Sequence, residues 1–368
     1  MEYKRLGEYI EPVDERNSKL EIKLSQGICN EKYFQDPRQV AENSAADKIV
    51  RRGYFAYNRA TTRNGEKISI AYREGPDCTV SSAYQVFRIK DEEKLNPKYL
   101  LMWYKRPDFD KYARFRSHGS AHEFFEYEEM CNVRIPLPSI ERQREIVSEY
   151  ETLTNRIHLN NQMILHLEAT AQTLYSKTFV ENIDKENLPE GWRIGTLGEV
   201  ATCLDYKRKP LSEDERKPIK GMYPYYGAMS VVDHINQYIF DGTYLLFSED
   251  GANVIDENGH PALQYLWGKF WVNNHAHVLQ GNEVVSTEYL YIALKDVNAA
   301  HLVTGAAQPK INQENMNSIQ LVVPSKEDME EFNKIIQAVF YLYKQKTEEN
   351  DKLTELQSLL LAKMGHKY

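Results

Sequence analysis

Two histidines and two carboxylates have a spacing that could bind a metal ion. His275 and His277 alternate along a strand-like segment, which would place both imidazoles on one face of the strand. Glu249 and Asp250 are adjacent and precede Gly251. Neither pair is accompanied by further ligands at a recognisable spacing, and an acidic pair before glycine is typical of a turn. We therefore predict that this chain binds no metal.

The common catalytic motifs are absent from the sequence. It contains no G-x-x-x-x-G-K-[ST] phosphate loop, G-x-G-x-x-G turn, H-E-x-x-H zinc helix or G-x-S-x-G nucleophile turn. It also lacks an Asn-Pro-Pro-Tyr-type tetrapeptide, the adenine-binding motif of methyltransferases. The cysteines Cys29, Cys78, Cys131 and Cys203 form no C-x-x-C pair and are interpreted as reduced thiols. We predict no catalytic residue and no cofactor bound by this chain.

Basic and polar residues are concentrated in short loop-like segments. These are residues 57–64 and 114–118 in the first half, and residues 206–209 and 305–310 in the second. Such side chains hydrogen-bond phosphates and base edges, although an ordinary solvated loop has a similar composition. The predicted DNA-binding residues are Asn58, Arg59, Thr62, Arg63, Arg116, Ser117, His118, Lys207, Arg208, Tyr225, Tyr226, Asn253, Asn274, His275, Gln308 and Lys310.

The net charge argues against strong DNA binding by the chain alone. It is −8 at pH 7, and residues 186–324 carry a net charge of −7. Since DNA binding requires cations that neutralise phosphates, we expect weak affinity of the isolated chain and a partner protein that supplies positive charge.

The sequence contains an internal repeat. Residues 119–139 align without a gap on residues 305–325, at an offset of 186, and residues 80–86 align on residues 272–278 at an offset of 192. The common order and the similar offsets predict two copies of one structural plan.

Each copy ends in a long helical segment. Its apolar residues alternate by four and three, which is typical of a coiled-coil seam; alternatively, each helix packs only on its own globular domain. Asn160 interrupts the apolar register and is predicted to fix the alignment of the helices. The predicted seam residues are Ile146, Tyr150, Leu153, Ile157, Asn160, Ile164, Leu167, Leu174, Phe332, Ile336, Val339, Tyr343, Leu353 and Leu360.

These features predict a mixed α/β (α+β) protein. Its 368 residues are 42% hydrophobic, which suits two or three folded domains. We expect two similar globular domains, residues 1–138 and 186–324, separated by two long antiparallel helices within residues 139–185 and 325–368. The helices would form a coiled coil with pseudo-two-fold symmetry.

The whole chain resembles the specificity subunit of a type I restriction-modification system. The resemblance lies in the opening segment Trp192–Glu199, the PYYGA turn at Pro224–Ala228 and the YLLFSEDGA segment at Tyr244–Ala252. It also includes residues 305–325 and the helix entry Pro136–Val147. The first half departs from the pattern because it has no PYYG turn, which places its contact residues in doubt.

The resemblance implies that each globular domain is a target recognition domain that reads one half of a split site in double-stranded DNA. The helices would set the gap and dock two methyltransferase subunits. S-adenosylmethionine, ATP and Mg would be bound by the methyltransferase and the restriction/translocase subunits, and this chain would not be catalytic.

The main alternative is a coiled-coil scaffold whose two heads bind proteins without reading DNA. No segment has the roughly 18 consecutive apolar residues of a membrane span, and the N-terminus lacks the apolar core of a signal peptide. We therefore expect a cytoplasmic protein with no membrane partner.

Overall fold

The computed structural model describes residues 3–37, 44–61, 67–118, 123–251, 254–305 and 308–365. The chain divides into two compact units. Unit 1 comprises residues 1–160 and 349–368, and unit 2 comprises residues 161–348.

Unit 1 begins with short strands and ends in the first long helix, which continues into unit 2. Its elements are β1 (Tyr3–Arg5), β2 (Ile10–Val13), β3 (Gly27–Ile28), β4 (Phe34–Gln35), β5 (Lys48–Val50), β6 (Phe55–Asn58), β7 (Ile70–Tyr72), β8 (Cys78–Val80), β9 (Tyr84–Ile89), α1 (Pro97–Tyr104), α2 (Pro107–Phe115), α3 (Tyr127–Asn132), β10 (Arg134–Pro136) and α4 (Ile140–Phe179).

Unit 2 has longer strands, and its last helix returns into unit 1. Its elements are β11 (Arg193–Thr196), α5 (Leu197–Val200), β12 (Ala201–Cys203), α6 (Glu213–Arg216), β13 (Lys220–Tyr226), β14 (Val231–Ile235), β15 (Phe240–Ser248), β16 (Leu263–Val272), β17 (Ala276–Gly281), α7 (Thr287–Lys295), α8 (Gln313–Asn317), β18 (Gln320–Val323) and α9 (Lys326–Lys363).

The main sheets of the two units share one topology. The order β2-β9-β6-β7 in unit 1 corresponds to β12-β17-β15-β16 in unit 2. Val86 lies opposite Ala56 in unit 1. Val278, its equivalent at the repeat offset of 192, lies opposite Leu246 in unit 2. The predicted duplication and the mixed α/β class are confirmed.

Unit 2 differs from unit 1 in one hairpin. Strands β13 and β14 extend its sheet beyond β16, and β13 pairs with β16 in parallel. In unit 1 the described residues form two separate two-stranded sheets instead, β3-β4 and β5-β8. The hairpin contains the PYYG segment, so the sequence difference between the two halves corresponds to a difference in architecture.

A helix covers each main sheet. Asn96 caps α1 by accepting hydrogen bonds from the amides of Lys98 and Tyr99, and Ser286 caps α7 in the same way through the amide of Tyr289. These caps satisfy amides that have no partner inside the helix. Both helices are largely buried in the core of their unit.

The two long helices run antiparallel in unit 1. The amide of Asn160 donates a hydrogen bond to the side-chain oxygen of Asn350 (3.0 Å), and Gln357 donates to Thr154 (2.7 Å). Asn160 is 2% exposed. Positions at the predicted heptad spacing, such as Leu153 and Leu353, are less exposed than the residues that flank them.

The helices also pair in unit 2, where they contribute to the globular core. The ring of Phe179 in α4 lies 5.0 Å from that of Phe332 in α9 and 5.4 Å from that of Tyr289 in α7. The Trp267 indole donates a hydrogen bond to Glu348 (2.9 Å). Coiled-coil pairing and packing on the globular part therefore coexist. Both predicted long helices are confirmed.

None of the helices among the described residues combines the length and apolarity required to cross a bilayer.

Candidate nucleic-acid interface

Four loop segments of unit 2 converge at the β17 end of its sheet. They are residues 205–208, 249–251, 273–277 and 308–311. Asp250 bridges to Lys310, the amide of Glu249 donates to the carbonyl of His275, and the amide of Ile311 donates to the carbonyl of Glu249. Segments that are distant in sequence thus form one surface, which we call the unit 2 loop cluster.

Glu249 is the central anion of the unit 2 loop cluster. Its carboxylate lies 2.6 Å from Arg208 Nη1 and 2.7 Å from Lys310 Nζ. The Arg208 side chain is only 13% exposed and also lies 3.0 Å from Asp205. Arg208 therefore orders the loops internally, whereas Lys310 is 45% exposed and reaches the surface.

His277 connects this ion-pair network to the next loop. Its Nε2 donates to the carbonyl of Ile311 (2.9 Å), and its Nδ1 lies 2.5 Å from Asp205. Burial would raise the pKa of Asp205, but hydrogen bonds from His277 and the Val278 amide, together with nearby positive charge, hold that pKa below its usual value. Asp205 is thus held in its charged form.

A metal ion does not suit this arrangement. Sγ of Cys203, an Asp205 oxygen and a ring nitrogen of His277 lie within 4.8 Å of one another. However, burial raises the pKa of the Cys203 thiol to about 11, and Asp205 already binds His277 and Arg208. A cation here would compete with an existing guanidinium. His275 points to a different partner, Asp250, at 2.8 Å.

Several predicted contact residues are exposed in the unit 2 loop cluster. Lys207 lies over the ring of Tyr206, which is itself 78% exposed. Asn274, His275 and Gln308 are also exposed. These side chains bring amide, imidazole and ammonium groups to one face, which is the donor and acceptor set that groove contacts use.

The two tyrosines of β13 differ in accessibility. Tyr225 is 1% exposed, and its hydroxyl accepts a hydrogen bond from the amide of Leu211 (2.8 Å). Tyr226 is partly exposed and packs edge-on against Phe270. Tyr225 therefore belongs to the core, and a base contact would require the local structure to open.

In unit 1 the predicted residues meet at a smaller cluster. His118 and Phe124 exchange two backbone hydrogen bonds, and Ala60 bridges to Phe124. The Arg59 guanidinium lies 5.8 Å from the Phe124 ring and 3.3 Å from Glu126. The side-chain oxygen of Asn58 accepts a hydrogen bond from the amide of Ala60 (3.1 Å).

Loop closure is the same in both units. The His118–Phe124 bridge of unit 1 recurs as the Thr304–Lys310 bridge of unit 2, at the repeat offset of 186. Gly305 has a φ of +86°, and an added Cβ would lie 2.5 Å from the Gln308 carbonyl oxygen, so this loop requires glycine.

Two further predicted residues of unit 1, Arg116 and Ser117, also have internal partners. Arg116 binds Glu129 through two hydrogen bonds of 2.6 and 3.0 Å. Ser117 is 8% exposed, and its hydroxyl donates to the carbonyl of Ala113 (2.7 Å). His118 is exposed. Thr62, Arg63 and Asn253 lie outside the described residues.

Exposed aromatic side chains next to these residues were not among the predicted contacts. Tyr206 precedes Lys207, and Phe115, 79% exposed, precedes Arg116. The sequence could have indicated them as DNA contacts, because each is an aromatic residue inside a basic loop. Exposed aromatic rings stack on bases or wedge between base steps.

A protein-family model described as "Type I restriction modification DNA specificity domain" matches residues 46–169 and 189–356. The two matches cover both copies of the repeat.

Two curated proteins of Haemophilus influenzae are similar in sequence. The candidate type I restriction enzyme specificity subunit S.HindORF215P is 30% identical over 164 residues, which are 45% of this chain and 40% of that protein. The chain therefore matches less than half of that relative's length. The type I restriction enzyme HindI specificity subunit is 20% identical, and the match covers 87% of each chain.

A solved structure shares the fold. The crystal structure of a type I restriction-modification S subunit from M. genitalium matches with a TM-score of 0.62 and 15% identity, over 100% of this chain and 96% of that one.

Proposed function

Because this chain belongs to the type I restriction modification DNA specificity domain family, we propose that it is the DNA-recognition subunit of a type I restriction-modification enzyme. Each unit would read one half of a bipartite site in double-stranded DNA. The observation that carries the proposal is that the family model matches both copies of a duplicated fold, each of which closes an equivalent loop.

The unit 2 loop cluster supports direct reading of bases. The loops that carry its exposed groups are joined by a network of buried ion pairs, so the loop backbone is ordered before DNA arrives. Ordered loops lose less conformational entropy on binding, which favours selective contacts. The side chains of Lys207, Asn274, His275, Gln308 and Lys310 are the proposed contacts in this unit.

The long helices would set the gap between the two half-sites. The 40 residues of α4 and the 38 residues of α9 would each extend ~60 Å at 1.5 Å per residue. Helices of fixed length impose a fixed spacing, as dimeric DNA-binding proteins do with their half-sites.

Catalysis would belong to partner subunits. We propose that the chain assembles with two methyltransferase subunits, which use S-adenosylmethionine, and with restriction/translocase subunits, which use ATP and Mg. The net charge of −8 supports this division, because a partner would have to supply phosphate-neutralising cations. The isolated chain is then expected to bind its site more weakly than the assembled enzyme at the same salt concentration.

The test is co-expression with the methyltransferase subunit in a host that lacks other DNA methylation, followed by genome-wide mapping of N6-methyladenine. A bipartite motif with a constant gap is expected. A stable complex with an active methyltransferase but without sequence-specific methylation would refute DNA reading and favour a protein scaffold.

A further inference from the structure

A pocket of about 460 Å³ lies in unit 1. It is bounded by the β3–β4 turn, the α1–α2 junction and one side each of α4 and α9. Four lysines and two carboxylates line it, and hydroxyl and amide groups of α9 complete the wall. The charged lining residues are Glu31, Lys32, Lys67, Lys105, Asp110 and Lys111.

Two of the four lysines are neutralised within the pocket. Lys32 Nζ is buried between Asp110 and the carbonyl of Tyr104, both at 2.5 Å. Lys67 lies 2.7 Å from Glu31. Both carboxylates are therefore already paired.

Lys105 and Lys111 have no carboxylate partner among the described residues. Lys105 is partly buried and lies 5.4 Å from the ring of Tyr150. The nearby carboxylate of Glu74 pairs with Lys98 at 3.0 Å. Burial lowers the pKa of Lys105, as expected for an ammonium group that lacks a counter-ion.

The internal repeat provides a direct comparison. Lys295 of unit 2 occupies the position of Lys105, at the C-terminal end of the equivalent helix, and it lies 3.2 Å from Glu168. The residue equivalent to Glu168 at the helix offset of 186 is Thr354. Unit 2 therefore neutralises this lysine with its own carboxylate, and unit 1 places a hydroxyl there.

We propose that the unit 1 pocket binds the phosphate group of a small molecule, with Lys105 and Lys111 as its cationic ligands. Thr354 and Ser358 line the same pocket. Their hydroxyl hydrogens are directed to α9 carbonyls at 2.8 and 3.0 Å. The side chain of Gln357 lies on the same wall. The volume exceeds that of a phosphate ion and leaves room for a sugar phosphate or a mononucleotide.

The matched variants are Thr354→Glu and Thr152→Glu in the full-length chain. Thr354→Glu introduces the carboxylate that unit 2 has beside Lys295, so it should neutralise Lys105. Thr152→Glu is the control, because Thr152 is an exposed threonine of α4 in the same unit whose hydroxyl also donates to the carbonyl four residues earlier, and it does not line the pocket.

Calorimetric titration with inorganic phosphate, AMP and ADP should show binding to the wild-type chain and to Thr152→Glu. Since charge-assisted hydrogen bonds are lost, Thr354→Glu should weaken binding about tenfold or more. Equal affinity for inorganic phosphate and AMP would identify the phosphate group alone as the ligand, and tighter binding of AMP would identify a nucleotide. Binding that Thr354→Glu leaves unchanged, or equal binding of acetate, would overturn the proposal.

Lysine acylation tests the pocket without any substitution. Phosphate or AMP should slow acylation of Lys105 by a small amine-reactive ester, measured by mass spectrometry, while the 90% exposed side chain of Lys326 should react at an unchanged rate. An unprotected Lys105, or protection by duplex DNA but by neither phosphate nor AMP, would refute a small-molecule site.

Discussion

The predicted DNA contacts differ in how far their charge is already compensated. Arg59, Arg116 and Arg208 each pair with a glutamate of their own unit, whereas Lys207 has no carboxylate at ion-pair distance among the described residues. A paired arginine must exchange its carboxylate for a phosphate, so it adds little net attraction. Such arginines serve mainly to order the loops, and neutral groups such as the Asn274 amide are then available for selectivity.

Replacement of Asn274 tests the contact surface of unit 2. The Asn274 side chain is exposed and makes no hydrogen bond to the described residues, so Asn274→Ala should leave the fold intact. If its amide binds a base edge, the substitution should cost about 1–3 kcal/mol of discrimination at one base position. The measurement is the methylation motif of the assembled enzyme, which should become degenerate at one position of one half-site.

Asn258→Ala is the matched control, because Asn258 is an exposed asparagine in another turn of unit 2. The assembled enzyme that carries Asn258→Ala should have the same methylation motif as the wild type. An unchanged motif in Asn274→Ala as well would remove Asn274 from the set of contacts.

Glu249 should be essential to the stability of the unit 2 loop cluster. Glu249→Gln leaves Arg208, 13% exposed, without its closest anion. Because a buried guanidinium would keep only one of its two carboxylates, Asp205, we expect a loss of about 2 kcal/mol. Hydrogen exchange of the β17 amides measures this loss of stability locally. Protection equal to that of the wild type would contradict the assigned role.

The contribution of Glu249 should also depend on pH. Burial would raise its pKa, but hydrogen bonds from Lys310 and Arg208 hold the pKa below the usual 4.5. A carboxyl whose pKa is lower when folded stabilises the fold above its unfolded pKa, and this stability is lost as pH falls through the folded pKa. The difference between wild type and Glu249→Gln should therefore be constant from about pH 5 to 8 and shrink below about pH 4. A constant difference down to pH 3 would contradict the lowered pKa.

At the scale of elements, the long helices combine an apolar seam with a pair of side-chain amides, of which Asn160 is buried. Asn160 donates to Asn350 at 3.0 Å, while Phe332 and Ile336 are buried in the core of unit 2. A polar pair inside a seam lowers stability but penalises other alignments, because a shifted register would bury an amide without its partner.

Paired substitutions at this position separate stability from alignment. Asn160→Leu removes the hydrogen bond from Asn160 to Asn350, so we expect it to keep the fold but to loosen pairing, with a loss of about 1 kcal/mol. The double variant Asn160→Leu/Asn350→Leu should recover stability by forming an apolar pair, yet permit more than one alignment. Urea unfolding measures the first effect, and the spread of gap lengths in the methylation motif measures the second. An unchanged gap and normal assembly in both variants would exclude an aligning role.

The sequence allowed the elements to be predicted better than their interactions. The repeat offsets anticipated that Val278 would lie where Val86 lies in the other unit, because strand register follows the side-chain pattern. The position of the β13–β14 hairpin was not predictable, since its parallel pairing with β16 joins segments about 45 residues apart. The partner of Arg208 was missed for the same reason, because Glu249 is distant in sequence. Ser117 bonds to Ala113, only four residues earlier, but the burial of its hydroxyl depends on how a whole helix packs.

At the scale of the whole molecule, each long helix belongs to both compact units. The core of unit 2 includes Phe179 and Phe332 of the helices together with Tyr289 of the globular part. A recognition domain therefore folds against helix residues that lie outside its own segment. An exchange of a recognition domain between related subunits must therefore preserve these contacts as well as the loops.

A domain exchange tests this organisation. Replacement of residues 186–324 by the equivalent segment of a family member should change one half of the methylated motif and leave the other half and the gap unchanged. The chimera should fold if the incoming segment keeps an aromatic residue at position 289, since that ring packs on Phe179 and Phe332 at 5.4 and 6.0 Å. Tyr289→Ala in the wild-type chain should cost about 3–5 kcal/mol, measured as a loss of hydrogen-exchange protection in unit 2, with the α1 amides of unit 1 as the internal reference. If the exchange altered both halves of the motif, each unit could not be reading its half independently, and recognition would have to depend on both units together.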